Sequence, residues 1–205
     1  LVMKAGLSFW LAFPLSGLIS AFVALLIGYP TLRIKGVYFS IITFAFAEII
    51  RLIIVNWPSL LGGYGGITNI PAPQPLFSIR FNTRISFYYL ILAVSFITYL
   101  VMVRMEKSRI GKIFSSIHES DTLAESVGIN IMKYKVIAFG IGCFFAGLSG
   151  SFYAHYFNFT SPEFFTIWQS IYCLIFVLVG GAGSVLGPLL GSFFLTLIPE
   201  FLRVA

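Results

Sequence analysis

The chain has 205 residues, of which 59% are hydrophobic and 10% are charged, and its mean hydropathy is +0.97. Water-soluble domains carry roughly a quarter charged residues, so this composition excludes an ordinary soluble domain. The length suffices for about six membrane spans of roughly 20 residues each, which leaves no room for a separate soluble domain. The net charge of +6 does not indicate nucleic-acid binding, because the basic residues gather in short loops rather than on one folded face.

Six apolar segments follow one another, and each except the fifth is long enough to cross about 30 Å of hydrocarbon as a helix. Backbone groups in lipid must bond internally, so the predicted fold class is an all-α, polytopic integral membrane protein with a glycine-rich, discontinuous C-terminal pair. We expect one membrane domain over 1–205, in a chain that is a fragment. The predicted spans are 6–28, 37–55, 85–103, 136–156, 165–179 and 184–202.

Two charged residues, Glu48 and Arg51, lie within the second predicted span. Their i,i+3 spacing places them on one helix face, where they can pair. Charges in hydrocarbon are costly, so the pair should face the helix bundle or a cavity. Two interpretations stay open: residues of a translocation path or gate, or a structural ion pair near the outer leaflet.

The outer loop, residues 56–84, is rich in proline and glycine, which predicts turns and extended pieces rather than a long helix. Its glycines at 62, 63, 65 and 66 do not have the GxGxxG spacing, and no strand precedes them. Turn formation is therefore the favoured interpretation, and a phosphate-binding loop is not.

Residues 104–135 form a polar segment between the third and fourth spans, and we expect it to lie in the cytoplasm as a coupling loop. This orientation puts most loop lysines and arginines inside, as the positive-inside rule requires. The inside residues are Arg33, Lys35, Arg104, Lys107, Arg109, Lys112, Lys133 and Lys135, and the outside ones are Lys4, Arg80, Arg84 and Arg203.

Within this polar segment, residues 104–112 are basic, as an inner-leaflet anchor would be. Residues 116–130 then predict a short helix that Ser120 or Asp121 caps and that Gly128 ends. A small apolar face on this helix would suit a groove on a partner, although a solvated connector without a partner stays open. The face consists of Leu123, Ala124 and Val127.

Glycines crowd the junction of the last two spans. Gly183, Gly187 and Gly191 are spaced by four, so the pattern predicts one helical face that another backbone can approach closely. The GGAGS turn at 180–184 would lie at membrane depth only against protein or a water-lined cavity. Gly180, Gly181, Gly183, Ser184 and Gly187 are therefore candidates for the translocation path or for helix packing.

No catalytic constellation is present in the sequence. His118 and His155 fall on opposite sides of the membrane in this topology, and neither has a neighbouring nucleophile. Gly111 and Lys112 resemble the end of a Walker A motif, but Ile113 replaces its Ser or Thr. We therefore expect a transporter subunit rather than an enzyme, with any ATP bound by another subunit.

Several short sequences, in order along nearly the whole chain, closely resemble the membrane subunits of ABC importers for branched-chain amino acids, of the LivM type. They are LRIKGVYFSIITFAFAEIIR at 32–51, GGYGGIT at 62–68, AESVGIN at 124–130 with Tyr134-Lys135, FFAGLSG at 144–150, YAHY at 153–156, SP at 161–162 and GGAGSVLGP at 180–188.

The resemblance implies that the polar segment carries a coupling helix that seats in an ATPase subunit. The E-A-A-x-x-x-G loop of such permeases stands here in a related version, with Ser126 where alanine is common. The implied coupling residues are Glu119, Asp121, Ala124, Glu125, Ser126, Gly128 and Asn130.

The resemblance also implies the partners: two ABC ATPase subunits, a second related permease, an extracytoplasmic substrate-binding protein and membrane lipid. It implies no cofactor in this chain, with ATP and Mg on the partner subunits, and a place in a bacterial or archaeal plasma (inner) membrane. Relatives that transport urea or short amides stay open as alternatives. So do an ion-coupled secondary transporter that uses Glu48 and a membrane scaffold that does not transport.

Overall fold

The computed structural model describes residues 2, 6–34, 37–71, 73–74, 84–181 and 183–204. Four of the basic side chains in the inside and outside sets lie outside the described part: Lys4, Lys35, Arg80 and Arg203. Ala182 of the glycine-rich turn lies outside it as well. The helices are α1 (Phe9–Thr31), α2 (Val37–Asn56), α3 (Pro58–Leu61), α4 (Arg84–Glu106), α5 (Arg109–Glu119), α6 (Asp121–Ser126), α7 (Ile131–Phe157), α8 (Ile167–Gly180) and α9 (Leu186–Val204).

The predicted all-α membrane fold is confirmed, and four helices, α1, α2, α4 and α7, are long and apolar enough to cross a bilayer. The apolar parts of α8 and α9 are shorter, at Ile167–Gly180 and Leu186–Phe201, so six spans are not confirmed by length. The chain forms two compact units, Leu1–Ser161 and Pro162–Ala205. The single permease domain stays a prediction.

In the first unit, α1 and α7 make the largest helix–helix contact. Small residues allow their close approach: a Cβ on Gly147 would lie 2.7 Å from the Ser20 Cβ and 3.1 Å from the Gly17 Cα. The Ser16 hydroxyl lies 3.2 Å from the Gly147 carbonyl oxygen across the interface, and its one hydrogen is shared between that oxygen and the Phe13 carbonyl oxygen of α1, at 2.6 Å. Small residues and interhelical hydrogen bonds are the usual means of helix association where lipid removes the hydrophobic driving force.

An aromatic cluster joins α4 to this pair. Phe9 of α1, Phe87 of α4 and Phe152 of α7 are all buried, with Phe87 and Phe152 ring centroids 6.1 Å apart in an edge-to-face arrangement. Such pairs contribute about 0.5–1.5 kcal/mol beyond the burial of their area. The cluster fixes the end of α7 that is remote from the polar segment.

The outer loop is tied to the end of α7 by a two-stranded antiparallel sheet of β1 (Ile67–Thr68) and β2 (Phe159–Thr160). Ile67 is paired with Thr160. A Cβ on Gly66 would overlap the Thr160 carbonyl oxygen, and Gly66 has φ +69°, so only glycine fits this approach. The predicted turns of the loop are confirmed, whereas the sheet was not predicted.

In the second unit, α8 and α9 form a hairpin through glycine. A Cβ on Gly180 would overlap the Gly187 carbonyl oxygen, and a Cβ on Gly191 would overlap the Phe176 carbonyl oxygen. Gly187 and Gly191 therefore face the α8 backbone as predicted. The prediction is wrong for Gly183, which lies in the turn before α9, with nothing within 4 Å of a Cβ placed there.

Candidate functional site

The polar segment begins with a sharp change of direction between α4 and α5. The Ser108 hydroxyl donates to the Met105 carbonyl at 2.6 Å and accepts from the Gly111 amide at 3.3 Å, so it ends one helix and caps the next. A Cβ on Gly111 would overlap the carbonyl oxygens of Met105 and Glu106. The close approach of the two helices therefore requires glycine at position 111. This requirement accounts for the Gly111-Lys112 fragment that resembles the end of a Walker A motif, and no nucleotide is needed to explain it.

The helix α5 was not predicted. Ile113, Phe114 and Ile117 repeat at helical spacing, and Ile117 is buried while the other two are half-buried. The opposite side is exposed and includes Lys112, Ser116 and Glu119. It contacts α4, α6 and α7. The interpretation of residues 104–112 as a basic anchor alone is therefore incomplete, because most of that stretch belongs to the end of α4 and the start of an amphipathic helix. Residues 116–119, which were assigned to the coupling helix, also belong to α5.

The helix α6 begins and ends as predicted. The Ser120 hydroxyl accepts a hydrogen bond from the Leu123 amide at 3.4 Å, which makes Ser120 the N-cap. At the other end the Gly128 amide donates to the Glu125 carbonyl at 2.9 Å, and the Ile129 amide donates to the Ala124 carbonyl at 3.1 Å. This pair of bonds, with Gly128 at φ +82°, is a Schellman motif.

The predicted apolar face of α6 is divided. Leu123 and Val127 are 70% and 75% exposed, but Ala124 is only 2% exposed. The prediction that Ala124 shares an exposed face with them is wrong, because in a six-residue helix it lies on the side that packs inward. Leu123 and Val127 are four residues apart and therefore form an exposed apolar pair on one side of the helix.

An ion pair ties α6 to α7. The Lys135 ammonium lies 2.6 Å from an Asp121 carboxylate oxygen, and both side chains are about one-third exposed. Asn130 caps α7 by accepting from the Lys133 amide at 3.1 Å. An exposed pair contributes little to stability, about 0–1 kcal/mol, so its effect here is to fix the position of α6 relative to the long helix.

The predicted coupling residues thus lie together but in different environments. Glu125, Ser126 and Gly128 are exposed on or directly after α6, whereas Glu119 ends α5 and Asn130 begins α7. The Ser126 hydroxyl donates to the Leu123 carbonyl at 2.8 Å, so it is engaged within the helix.

The two charges within α2 form the predicted pair. The Arg51 Nη2 lies 2.5 Å from the Glu48 Oε1, and the Arg51 Nε lies 3.0 Å from both carboxylate oxygens. The carboxylate is thus engaged by a guanidinium on its own helix, a charge-assisted arrangement. This geometry favours the structural ion pair over a free titrating group.

The glycine-rich turn carries its own cap. The Ser184 hydroxyl accepts from the Gly187 amide at 3.1 Å, so Ser184 stabilises the start of α9. Gly181, at φ +95°, follows the last residue of α8. Gly180, Gly181, Ser184 and Gly187 each have a geometric reason in the hairpin and Gly183 has none, and the role of these residues in a translocation path stays a prediction.

A cavity of about 600 Å³ lies at the opposite end of α1 and α7 from α6, below the β1–β2 sheet. It is the site that the sequence did not reveal, because its walls come from distant segments. They include Ala12 and Ser16 of α1, Ser151, Ala154 and His155 of α7, residues 58–70 in part, and Thr160 of β2. The signal that was available, the histidine in YAHY, was set aside because it had no nucleophile nearby.

Comparison with known proteins shows the family of the chain. The family described as "Branched-chain amino acid transport system / permease component" matches residues 1–205. The chain is 32% identical over 221 residues to the high-affinity branched-chain amino acid transport system permease protein LivM of Salmonella typhimurium, covering 97% of this chain and 52% of that protein.

Two further LivM proteins show the same pattern. The Escherichia coli protein is 31% identical, again over 97% of this chain and 52% of its own length. The probable branched-chain amino acid transport permease LivM of Methanocaldococcus jannaschii is 25% identical over 88% of this chain and 52% of its own length. The chain therefore spans about half the length of these curated relatives.

No solved structure shows significant similarity to the chain. The family match covers every residue, and the helices have the lengths and apolar character of a multi-pass membrane protein. The chain belongs to the permease component family of branched-chain amino acid transport systems.

Proposed function

We propose that the chain forms the translocating part of a permease subunit in an ATP-driven ABC importer for branched-chain amino acids. The observation that carries the proposal is the coupling segment: a capped six-residue helix between two spans that presents Leu123 and Val127 outward. An exposed apolar pair on a short, fixed helix suits a groove on a partner protein. The LivM relatives supply the substrate class.

In this proposal α7 transmits the movement. It has 27 residues and, at 1.5 Å per residue, is about 40 Å long. Near its start, Lys135 is paired with Asp121 of the coupling helix. Near its end, Ser151, Ala154 and His155 line the cavity. A displacement of α6 by an ATPase would therefore be carried along one rigid helix to the cavity wall.

The partners and location follow from the same proposal. Two ATPase subunits would bind ATP and Mg and would contact α6. A second related permease would complete the membrane assembly, and an extracytoplasmic binding protein would deliver the amino acid. The polar segment would lie in the cytoplasm of a bacterial or archaeal cell, with the protein in the inner membrane. This chain would carry no cofactor and perform no covalent step.

The alternatives have less support. An ion-coupled transporter would need Glu48 as a titrating group, but its carboxylate is engaged by Arg51. A scaffold that does not transport would not need the cavity at the far end of α7. Transport of urea or short amides is distinguished from amino-acid transport by the substrate used in the assays below.

The proposal is tested in proteoliposomes that contain the complete transporter, with the binding protein and labelled leucine added outside. The double substitution Glu125→Lys with Gly128→Leu reverses a charge on α6 and places a side chain at a left-handed position, φ +82°. We expect the number of leucine molecules imported per ATP hydrolysed to fall at least tenfold.

The matched control is Glu106→Lys, which makes the same charge change at an exposed position at the end of α4. It should retain the wild-type ratio. An unchanged ratio in the double variant would contradict docking through α6. Leucine uptake that proceeds in vesicles lacking the ATPase subunits would contradict the importer itself.

A further inference from the structure

The cavity below the β1–β2 sheet has the size of a site for a small solute. Its volume of about 600 Å³ falls in the range of about 300–1,000 Å³ that small-molecule pockets occupy. Its walls are mainly aliphatic, with Leu61, Ile67 and Ile70 from the outer segment and Ala12 and Ala154 from the two long helices. Such a lining suits a branched aliphatic side chain.

The lining also carries a specific electrostatic feature. Among the described residues that line it, none bears a formal charge, and the polar groups are hydroxyls, backbone groups and one imidazole. A cation or an anion would enter this cavity without a countercharge, which is unfavourable in an apolar site. A zwitterion needs no countercharge from the protein, because its ammonium and carboxylate lie next to each other, but each group still needs hydrogen-bond partners in the site.

His155 is the residue that the fold leaves unsatisfied. It is only 8% exposed, and its Nδ1 lies 2.7 Å from the Ser151 carbonyl oxygen. Because a carbonyl can only accept, Nδ1 carries the hydrogen, and in the neutral ring Nε2 is then a bare acceptor. That Nε2 is buried and has no hydrogen-bond partner among the described residues. A buried acceptor without a donor is unfavourable and requires an explanation.

The cover over this imidazole comes from the start of α1. The Phe9 ring packs edge-on against the His155 ring, with centroids 4.8 Å apart and planes at 75°. Phe9 is itself buried, in the aromatic cluster described above. Because Nε2 is buried in this conformation, a solute can contact it only after a neighbouring side chain such as Phe9 moves.

We propose that this cavity is a binding site for the branched-chain amino acid and that the His155 Nε2 accepts a hydrogen bond from its ammonium group. The proposal rests on the proposed function, which supplies the substrate class. In this site the aliphatic walls hold the substrate side chain. Thr160, which also lines the cavity, offers its hydroxyl as a donor to the carboxylate.

The test measures occupancy of the cavity by protection of a cysteine. In the assembled full-length transporter, Cys143 and Cys173 are replaced by alanine, and Thr68→Cys is introduced in the cavity wall. The rate of modification by a maleimide is measured without ATP and without binding protein, at increasing leucine concentration. The control is Tyr64→Cys, which is 67% exposed on the same outer segment and does not line the cavity.

We expect leucine to slow modification of the Thr68→Cys site at least fivefold and to leave the Tyr64→Cys site unchanged. His155→Leu should raise the leucine concentration that gives half-protection at least tenfold. His155→Gln keeps an acceptor and should restore part of the affinity. The amine 3-methylbutylamine and the acid 4-methylpentanoate each carry a net charge, so both should protect only at higher concentrations than leucine. The amine should lose this protection in His155→Leu, whereas the acid, which lacks the ammonium, should protect equally in the His155 protein and in His155→Leu.

Three results would overturn the proposal. The first is that leucine gives no protection, and the second is that acetamide or urea protects better than leucine. The third is that His155→Leu abolishes protection by 4-methylpentanoate and keeps protection by 3-methylbutylamine. If both histidine variants fail to assemble, the unsubstituted His155 protein still decides, because leucine must protect Thr68→Cys there.

The outcome is separate from the transport assay. Absent protection with intact ATP-driven uptake overturns this site alone, and protection without ATP-driven uptake overturns the importer alone.

Discussion

Two helix pairs in this chain pack through glycine, and the atoms that the glycines face are different. In the α1–α7 pair, a Cβ on Gly17 or Gly28 would meet the rings of Phe144 or Phe139 at 2.8 Å. In the α8–α9 pair, a Cβ on Gly187 or Gly191 would overlap backbone carbonyl oxygens. In the first pair Gly17 and Gly28 lie opposite side chains, whereas a Cβ on Gly147 would also meet backbone, at 2.8 Å from the Ser16 carbonyl oxygen. In the second pair both glycines lie opposite backbone, so the contrast is between Gly17 and Gly28 in one pair and Gly187 and Gly191 in the other.

This difference indicates how much each pair can adjust. A phenylalanine ring can rotate to admit a methyl group, whereas a backbone carbonyl can give way only if the helices separate. The α1–α7 pair is therefore suited to relative movement, as a cavity wall requires, and the α8–α9 hairpin is suited to rigidity. The close packing of the hairpin also explains why glycine, rather than alanine, recurs in it.

The largest effect is expected from Gly191→Ala in the hairpin. The new Cβ would overlap the Phe176 carbonyl oxygen and lie 2.9 Å from the Gly180 nitrogen. We expect a loss of about 3 kcal/mol or more, the upper end for overpacking. The measurement is the thermal midpoint of the purified transporter in detergent. Gly183→Ala is the control, because that site is open, and equal midpoints for the two variants would contradict the backbone contact.

A smaller effect is expected from Gly17→Ala in the α1–α7 pair. Its Cβ would contact the Phe144 ring and the Leu148 side chain, at 2.8 to 3.0 Å. These side chains can move, so we expect a loss of about 1–2 kcal/mol in the same thermal assay. Gly142→Ala on α7, with nothing within 4 Å, should be neutral. A loss from Gly17→Ala as large as that from Gly191→Ala would remove the distinction between the pairs.

The smallest effect is expected from Ser16→Ala, which removes the hydrogen bond from α1 to the Gly147 carbonyl. Interhelical hydrogen bonds in membrane proteins average about 0.6 kcal/mol, so we expect a loss of that order. The matched control is Ser192→Ala on α9, whose hydroxyl donates only to Leu189 of its own helix. A loss above about 2 kcal/mol would show that this bond, and not side-chain packing, dominates the pair.

Much of this fold could be predicted from the sequence, because the signals are local. Of the five apolar stretches predicted to be long enough, four gave α1, α2, α4 and α7, whereas 184–202 gave the shorter apolar part of α9. A hydroxyl and a glycine at the right spacing marked both ends of α6. The spacing of Glu48 and Arg51 was likewise enough to predict their pairing.

The remaining features depend on contacts between distant segments. The cavity needs α1, the outer segment and α7 in one place, and nothing in YAHY indicates that His155 would lie against Phe9. The burial of Ala124 beside the exposed Leu123 and Val127 depends on the packing of α6 against its neighbours, α5 among them. The sequence does not predict α5, because the basic start of that helix resembles a membrane anchor. Gly183 was misplaced because a spacing of four does not show where a helix begins.

Cross-linking is the decisive test of the proposal that α6 contacts the ATPase. In the cysteine-free background, Val127→Cys places a thiol on the exposed face of α6, and Tyr88→Cys places one at an exposed position of the α4 span. With a single cysteine in the ATPase groove, oxidation of the assembled transporter should link it to Val127→Cys and not to Tyr88→Cys. No Val127→Cys link in an intact transporter, or labelling of that thiol from outside the cell, would contradict it.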